Sequence, residues 1–291
     1  MNNKLNNMLE EFFKNNNVDN IDDANKKMQE FIKMYNNGEI KYENTPLDDA
    51  YELLEEAQNA KSKSEAVKLA KKAYEKSSEC FDAILFQCDL EENGIKRMKL
   101  LDKGLEFEKN RLMKEKYFDK DNIGHFYGIF ETRPYIRGLV DKASYLLEEG
   151  KLRQAGNICK EILRLNQNDN MGSRYLLMAI YATLEEEKEM LNLYKKYPEE
   201  NLEMLFPLFA IYYKSGNDKK ALGYLKKVDK CNSNFVKYFN GTIKKSEKEI
   251  SGYYSRGDAS EIFMYLSCYD YLLITMPRLH EYVIENLMKS K

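Results

Sequence analysis

The chain has 291 residues, of which 43% are hydrophobic and 32% charged, and its formal net charge is −2. That composition is too apolar for a disordered chain, and it lacks the basic field with which a protein neutralises nucleic-acid phosphates. Only five prolines and 14 glycines interrupt it, which favours helices over a turn-rich β fold.

The first 45 residues read as an N-terminal extension of two helices, at about 5–14 and 21–35. Asparagine-rich stretches, Asn15-Asn16-Asn17 and Asn36-Asn37-Gly38, follow each of them. The chain opens with no apolar stretch of the length a secretory leader needs, and no window approaches about 18 consecutive apolar residues. A cytoplasmic protein without a membrane partner is therefore expected. Five scattered cysteines (Cys80, Cys88, Cys159, Cys231 and Cys268), never in a CxxC pair, fit reduced thiols in that compartment.

From Pro46 onward the chain reads as helix pairs with a period of about 34 residues. The clearest repeats span about 47–79, 136–169, 170–200 and 202–234. In the second of these, Leu139, Ala143, Leu146 and Leu147 make one apolar stripe. Gly150 marks a turn, and Ala155, Cys159, Ile162 and Leu163 make a second stripe. At a constant offset, Gly216 answers Gly150, Ala221 answers Ala155, Leu225 answers Cys159 and Val228 answers Ile162. Alanine and glycine at such places let helices approach closely, so Ala155 and Ala221 are expected at tight helix contacts. The repeat at 170–200 keeps the length but lacks small residues in its second helix, and the stretch from Phe81 to Asn110 is a degraded copy. The expected fold is all-α, a right-handed superhelical array of antiparallel helix pairs: an α-solenoid over residues 46–291.

Two motifs stand out. In Thr132-Arg133-Pro134-Tyr135-Ile136-Arg137 the threonine can cap a helix and the proline suits its first turn. Arg133 and Arg137, four residues apart, share a helix face. They can pair with Glu131, with Asp141, with acidic residues of a neighbouring repeat, or with a ligand carboxylate. In Asn168-Asp169-Asn170-Met171-Gly172-Ser173-Arg174-Tyr175, Asp169 or Asn170 can cap the next helix, and Gly172 permits close packing. Arg174 opens an otherwise apolar helix.

Catalytic signals do not accompany these motifs. The two histidines, His125 and His280, belong to no HExxH, Cys/His or Ser/His arrangement, and no GxGxxG or Walker-type loop occurs. No catalytic residue, metal or cofactor is expected. His125 reads as a capping or inter-helix hydrogen-bonding residue, or else as a polar contact beside a groove, and Glu185-Glu186-Glu187 as a solvated helix start.

The stretch from Glu148 to Asp169 resembles the turn and second helix of the tetratricopeptide repeat, with Gln167 where a proline is usual. More closely, residues 124–177 are similar to the suppressor-of-tumorigenicity-seven-like group of repeat proteins. That group carries a TRPYMR sequence before one helix pair and LNPNDNQGxRY after it. Near the end, Thr275-Met276-Pro277 departs from the Thr-Pro-Gly pattern of the group.

The resemblance implies an interaction protein whose first helices line a concave groove. It places Arg137, Arg174 and Phe206 at about one level of successive repeats, with Tyr181 and Tyr213 deeper. Arg133, Arg137, Arg174, Tyr181, Phe206 and Tyr213 are thus the candidate partner-binding residues. The partner expected is a protein or peptide with an acidic or C-terminal segment. The alternative is a peptide-responsive regulator of a low-GC bacterium, although the first 45 residues contain no basic recognition helix.

Overall fold

A computed structural model describes residues 3–40, 42–243 and 254–288. The described residues form sixteen α-helices and one 3₁₀ turn, and no strand is found among them beyond two isolated bridges. None of these helices is long and apolar enough to cross a membrane. The chain divides into two compact units, Met1–Glu115 and Lys116–Lys291. The division falls well beyond residue 45, so the N-terminal helices group with the first repeat-like pairs.

In the first unit, α1 (Asn3–Asn15) and α2 (Ile21–Asn36) meet through Phe12 and the buried Phe31, and α1 also packs on α3 (Pro46–Gln58). Helix α2 starts where Asn20 accepts a hydrogen bond from the Asp23 N–H (2.9 Å). Helix α3 starts with a reciprocal box: Thr45 accepts from the Asp48 N–H, and Asp48 accepts from the Thr45 N–H, with Pro46 in the first turn. Helix α4 (Lys63–Lys76) buries Ala66, Ala70 and Ala73, the small residues that let it lie close to α3.

The degraded copy at Phe81–Asn110 also folds as two packed helices, α5 (Asp82–Leu90) and α6 (Gly94–Lys114). Its close contact is made by Gly104. A Cβ there would lie 2.8 Å from both Ile84 and Phe81, so only glycine fits between them.

The second unit begins with an irregular stretch that includes the 3₁₀ turn Phe126–Gly128. The pairs α7 (Arg133–Glu148) with α8 (Leu152–Leu165), α9 (Ser173–Leu184) with α10 (Glu187–Lys196), and α11 (Leu202–Lys214) with α12 (Asp218–Cys231) follow. Each pair turns in the same way. The N–H groups of Lys151, Glu186 and Asn217 donate to the carbonyls of Leu146, Tyr181 and Tyr212 at 2.8–2.9 Å. This closure needs a left-handed residue just before the donor. Gly150 and Gly216 supply it, and in the middle pair Glu185 adopts it with φ 61°.

Ala155 and Ala221 are fully buried as expected, and Met190 is buried at the corresponding place in α10. The middle pair therefore fills with a flexible thioether the space that its neighbours close with a methyl group.

Helices α13 (Asn234–Phe239), α14 (Ala259–Cys268), α15 (Asp270–Leu273) and α16 (Leu279–Leu287) complete this unit. They fold back on the earlier helices: α15 packs on α9, and α13 and α12 pack on α16. Tyr265 meets Phe206 with ring centroids 5.6 Å apart, and Tyr282 meets Tyr213 at 4.9 Å. All five cysteines are free thiols, with Cys80, Cys88 and Cys159 buried and Cys268 exposed. Burial pushes the Cys80 and Cys159 thiols up to about 12.

Candidate contact site

The two motifs bracket one continuous structural feature. The Gly124 N–H donates to the Leu165 carbonyl (3.0 Å), and the Gln167 N–H donates to the Gly124 carbonyl (2.8 Å). These bonds pin the irregular stretch before α7 to the end of α8. Gly124 has φ +101°, and an added Cβ would press on the Gln167 side chain at 3.1 Å, so glycine is needed here. His125 takes part in this crossing through its backbone, and its side chain is exposed.

Thr132 is buried and precedes α7, but its side chain does not cap the helix. Its hydroxyl turns back against the carbonyls of Phe126 and Ile129 and so ties down the 3₁₀ turn. That turn holds Arg133. The arginine Nε donates to the Tyr127 carbonyl (2.7 Å), and its guanidinium lies over the Phe130 ring, 4.0 Å from the centroid, with the Tyr127 ring at 5.4 Å. Arg133 is half-buried, Phe130 is 42% exposed, and among the described residues no carboxylate pairs with Arg133. Arg137, one turn along, is half-buried and not free of partners.

Arg174 is placed differently. Its side chain is 14% exposed and is enclosed by internal acceptors. Nη1 donates to Asp169 Oδ2 (2.7 Å) and to the Asp169 carbonyl (3.1 Å). Nη2 donates to the Tyr175 hydroxyl. Nε lies 2.9 Å from Glu199 Oε1, close enough for an ion pair, although its N–H makes no well-aligned hydrogen bond. The Tyr175 hydroxyl donates to Glu199 Oε2 (2.7 Å), and Asn201 donates to the same oxygen (2.8 Å).

Of the two expected caps, Asp169 and Asn170, it is Asp169 that serves the start of α9, accepting from the Ser173 and Arg174 N–H groups at 2.8 and 2.9 Å. Gly172 serves as a left-handed turn residue (φ 71°) ahead of α9.

Charge follows from these contacts. Burial pushes the Asp169 carboxyl up, against the pull of the N–H groups that bond it. Burial also opposes the charge of Arg174, but its hydrogen bonds to Asp169 and its ion pair with Glu199 outweigh that and hold it above its usual range. Glu199 is kept below the usual carboxylate range because Tyr175 and Arg174 overcome its desolvation. The Tyr175 hydroxyl, desolvated and bonded to Glu199, is pushed up to about 12.

The other expected contacts lie inside. Phe206 is fully buried against Phe209, Phe235 and Tyr265, and Tyr181 is buried in α9. Tyr213 is half-buried between Phe209 and Tyr282. Phe206 thus belongs to the core, where Tyr265 of α14 covers it, and Tyr181 is buried with the Lys160 ammonium of α8 over its ring. Tyr127 and Phe130, which flank Arg133, were not among the expected residues. Their spacing of three with Arg133 is visible in the sequence, but it falls in an irregular stretch where helical periodicity gives no guidance.

No protein-family model matches the chain, and no curated protein matches it either.

Proposed function

We propose that this chain is a non-catalytic scaffold of the tetratricopeptide-repeat kind, with α7–α12 as antiparallel pairs of a solenoid. In this reading it binds a protein or peptide segment that carries an acidic side chain or a free C-terminal carboxylate. The contact surface is the start of α7, formed by Tyr127, Phe130 and Arg133 with Arg137 beside them. The supporting observation is the state of Arg133. Its guanidinium is stacked on Phe130 and fixed through Nε, while its Nη edge has no internal carboxylate. An arginine held in this way has already lost much of its rotamer freedom, and its remaining two donors match the spacing of a carboxylate. The exposed Phe130 beside it adds apolar contact for a bound chain.

The repeated turn closure of three successive helix pairs favours the scaffold reading, since stacked pairs present extended surfaces. Screening the full chain against a display library of peptides ending in acidic residues tests it. The selected peptides should lose affinity at higher salt and on replacing Arg133 with Gln, while helicity stays unchanged. Selected peptides indifferent to Arg133 would remove this surface from the proposal.

A further inference from the structure

Helix α2 buries Phe31, which meets Phe12 of α1, and leaves its other side exposed. Ile21, Met28, Ile32 and Tyr35 follow the spacing of one helix face, and Ile21 and Ile32 are 81% and 49% exposed. No other helix among the described residues exposes as many large apolar or aromatic side chains. Single exposed residues of this kind are ordinary, whereas a continuous stripe of them marks a contact surface. A cavity of about 430 Å³ opens beside the C-terminal half of the stripe, lined by Gln29, Ile32, Lys33, Asn36 and Asn37.

The charges along this face are arranged in a specific way. Asp23 is already paired with Lys27, one turn on, at 2.7 Å. Asp22 and Lys33 are exposed, and neither has an ion-pair partner among the described residues. They flank the stripe on the same side, three turns and so about 16 Å apart. One end of the flank is therefore acidic and the other basic.

We infer that α2 is a self-association surface, on which α2 of a second copy packs antiparallel about a two-fold axis near Met28. A two-fold contact joins a patch to itself, so the patch must complement its own reverse. Reversal brings Asp22 of each copy to Lys33 of the other, and Ile21 to the cavity beside Ile32. Parallel packing would set Asp22 against Asp22 and Lys33 against Lys33. The apolar stripe supplies the attraction, while the exposed charges choose orientation and partner. Asn25 is the polar residue within the stripe, and an asparagine enclosed in such a contact fixes register at some cost in stability. A helix of 16 residues spans about 24 Å, so the interface is small and the dimer dissociates on dilution. This surface is independent of the Arg133 site, and neither reading rests on the other.

Sedimentation of the full chain over a concentration series tests the inference, and a reversible monomer–dimer equilibrium is expected. Met28→Glu places two carboxylates face to face at the axis. It should raise the dissociation constant more than about tenfold, with helicity and melting unchanged. Asp22→Lys and Lys33→Asp should each weaken the dimer. Mixing those two chains should restore it as a heterodimer, because one is then basic at both positions and the other acidic at both. A parent that stays monomeric at every concentration overturns the inference, as does a dimer indifferent to Met28→Glu or a mixture no tighter than its separate components. Carbodiimide coupling of isotope-labelled with unlabelled parent requires no variant to fold. It should join Asp22 to Lys33 between copies, since within one helix the two lie too far apart to react. Parent dimers whose cross-links all avoid α2 would place the interface elsewhere and sink the proposal.

Discussion

The first turns of α7 and α9 each carry an arginine after a short loop motif, and the two environments differ in where the carboxylates lie. Around Arg174, Asp169 is provided by the preceding loop and Glu199 by the stretch before α11, so the charge is neutralised from within. Around Arg133 the neighbours are a carbonyl and two aromatic rings, and Glu131 beside it is exposed and makes no ion pair with it. Similar sequence positions thus give an internal brace in one case and a guanidinium without a carboxylate partner among the described residues in the other. Variants at the two sites should separate these roles.

The largest effect is expected at the brace. Arg174→Ala leaves Asp169 buried without its cation, and breaking a buried pair in this way costs about 3–5 kcal/mol. Urea unfolding at pH 7 should register that loss. It should shrink as the pH is lowered. Burial raises the folded-state pKa of Asp169, so protonation at lower pH relieves the variant's stranded carboxylate. Glu199 is depressed in the parent, so its share of the parent's stability is present above the unfolded carboxylate pKa and is lost as the pH falls through the folded value. Both changes bring the variant and parent together in acid. A gap that stays constant from pH 7 to pH 4 would mean that Arg174 acts through packing.

A smaller loss, without pH dependence, should come from overpacking. Ala155→Leu or Ala221→Leu forces extra methylenes into fully buried sites, at about 1–3 kcal/mol each. Melting curves at two pH values distinguish this loss from that of the brace. These two alanines also show what could be read directly from the sequence. Helical spacing and the repeat offset located them, along with the turn glycines, and the cap of α9 was narrowed to Asp169 or Asn170, because those features are set by residues close in the chain. Met190 and Glu185 take over the small-residue and turn positions of the middle pair, and only the packed structure reveals that. The burial of Phe206 depends on Tyr265, in a helix whose return to α11 no local pattern announces. The same holds for Arg174, whose partner Glu199 lies beyond α10, in the stretch before α11.

A smaller effect is expected at the hydroxyl that links the brace. The Tyr175 hydroxyl accepts from Arg174 and Asn201 and donates to Glu199. Tyr175→Phe keeps the ring under the guanidinium, at 4.1 Å, and removes only those bonds. A net loss of about 1 kcal/mol is expected, since each lost bond is partly replaced by water at this half-buried site. Arg174→Ala and Tyr175→Phe together should be less than additive, because both act on Glu199. Strict additivity would show that the hydroxyl is not part of the brace.

The smallest effect on stability is expected at Arg133, and that makes it informative. The side chain contributes one hydrogen bond to a carbonyl and a stacking contact with a ring that remains 42% exposed. Contacts of this kind at exposed sites are worth about 1 kcal/mol or less, so Arg133→Gln should melt within a few degrees of the parent. Arg133→Lys should melt the same way, yet it replaces the flat fork with a point charge and loses the stacked geometry. If the surface recognises a carboxylate through two Nη donors, binding of an acidic peptide should fall in both variants, and further for Gln than for Lys. If lysine restores binding fully, only the charge matters and the aromatic cradle is incidental. If either variant loses as much stability as Arg174→Ala, Arg133 is a brace as well, and the contrast between the two helix starts disappears along with the contact site built on it.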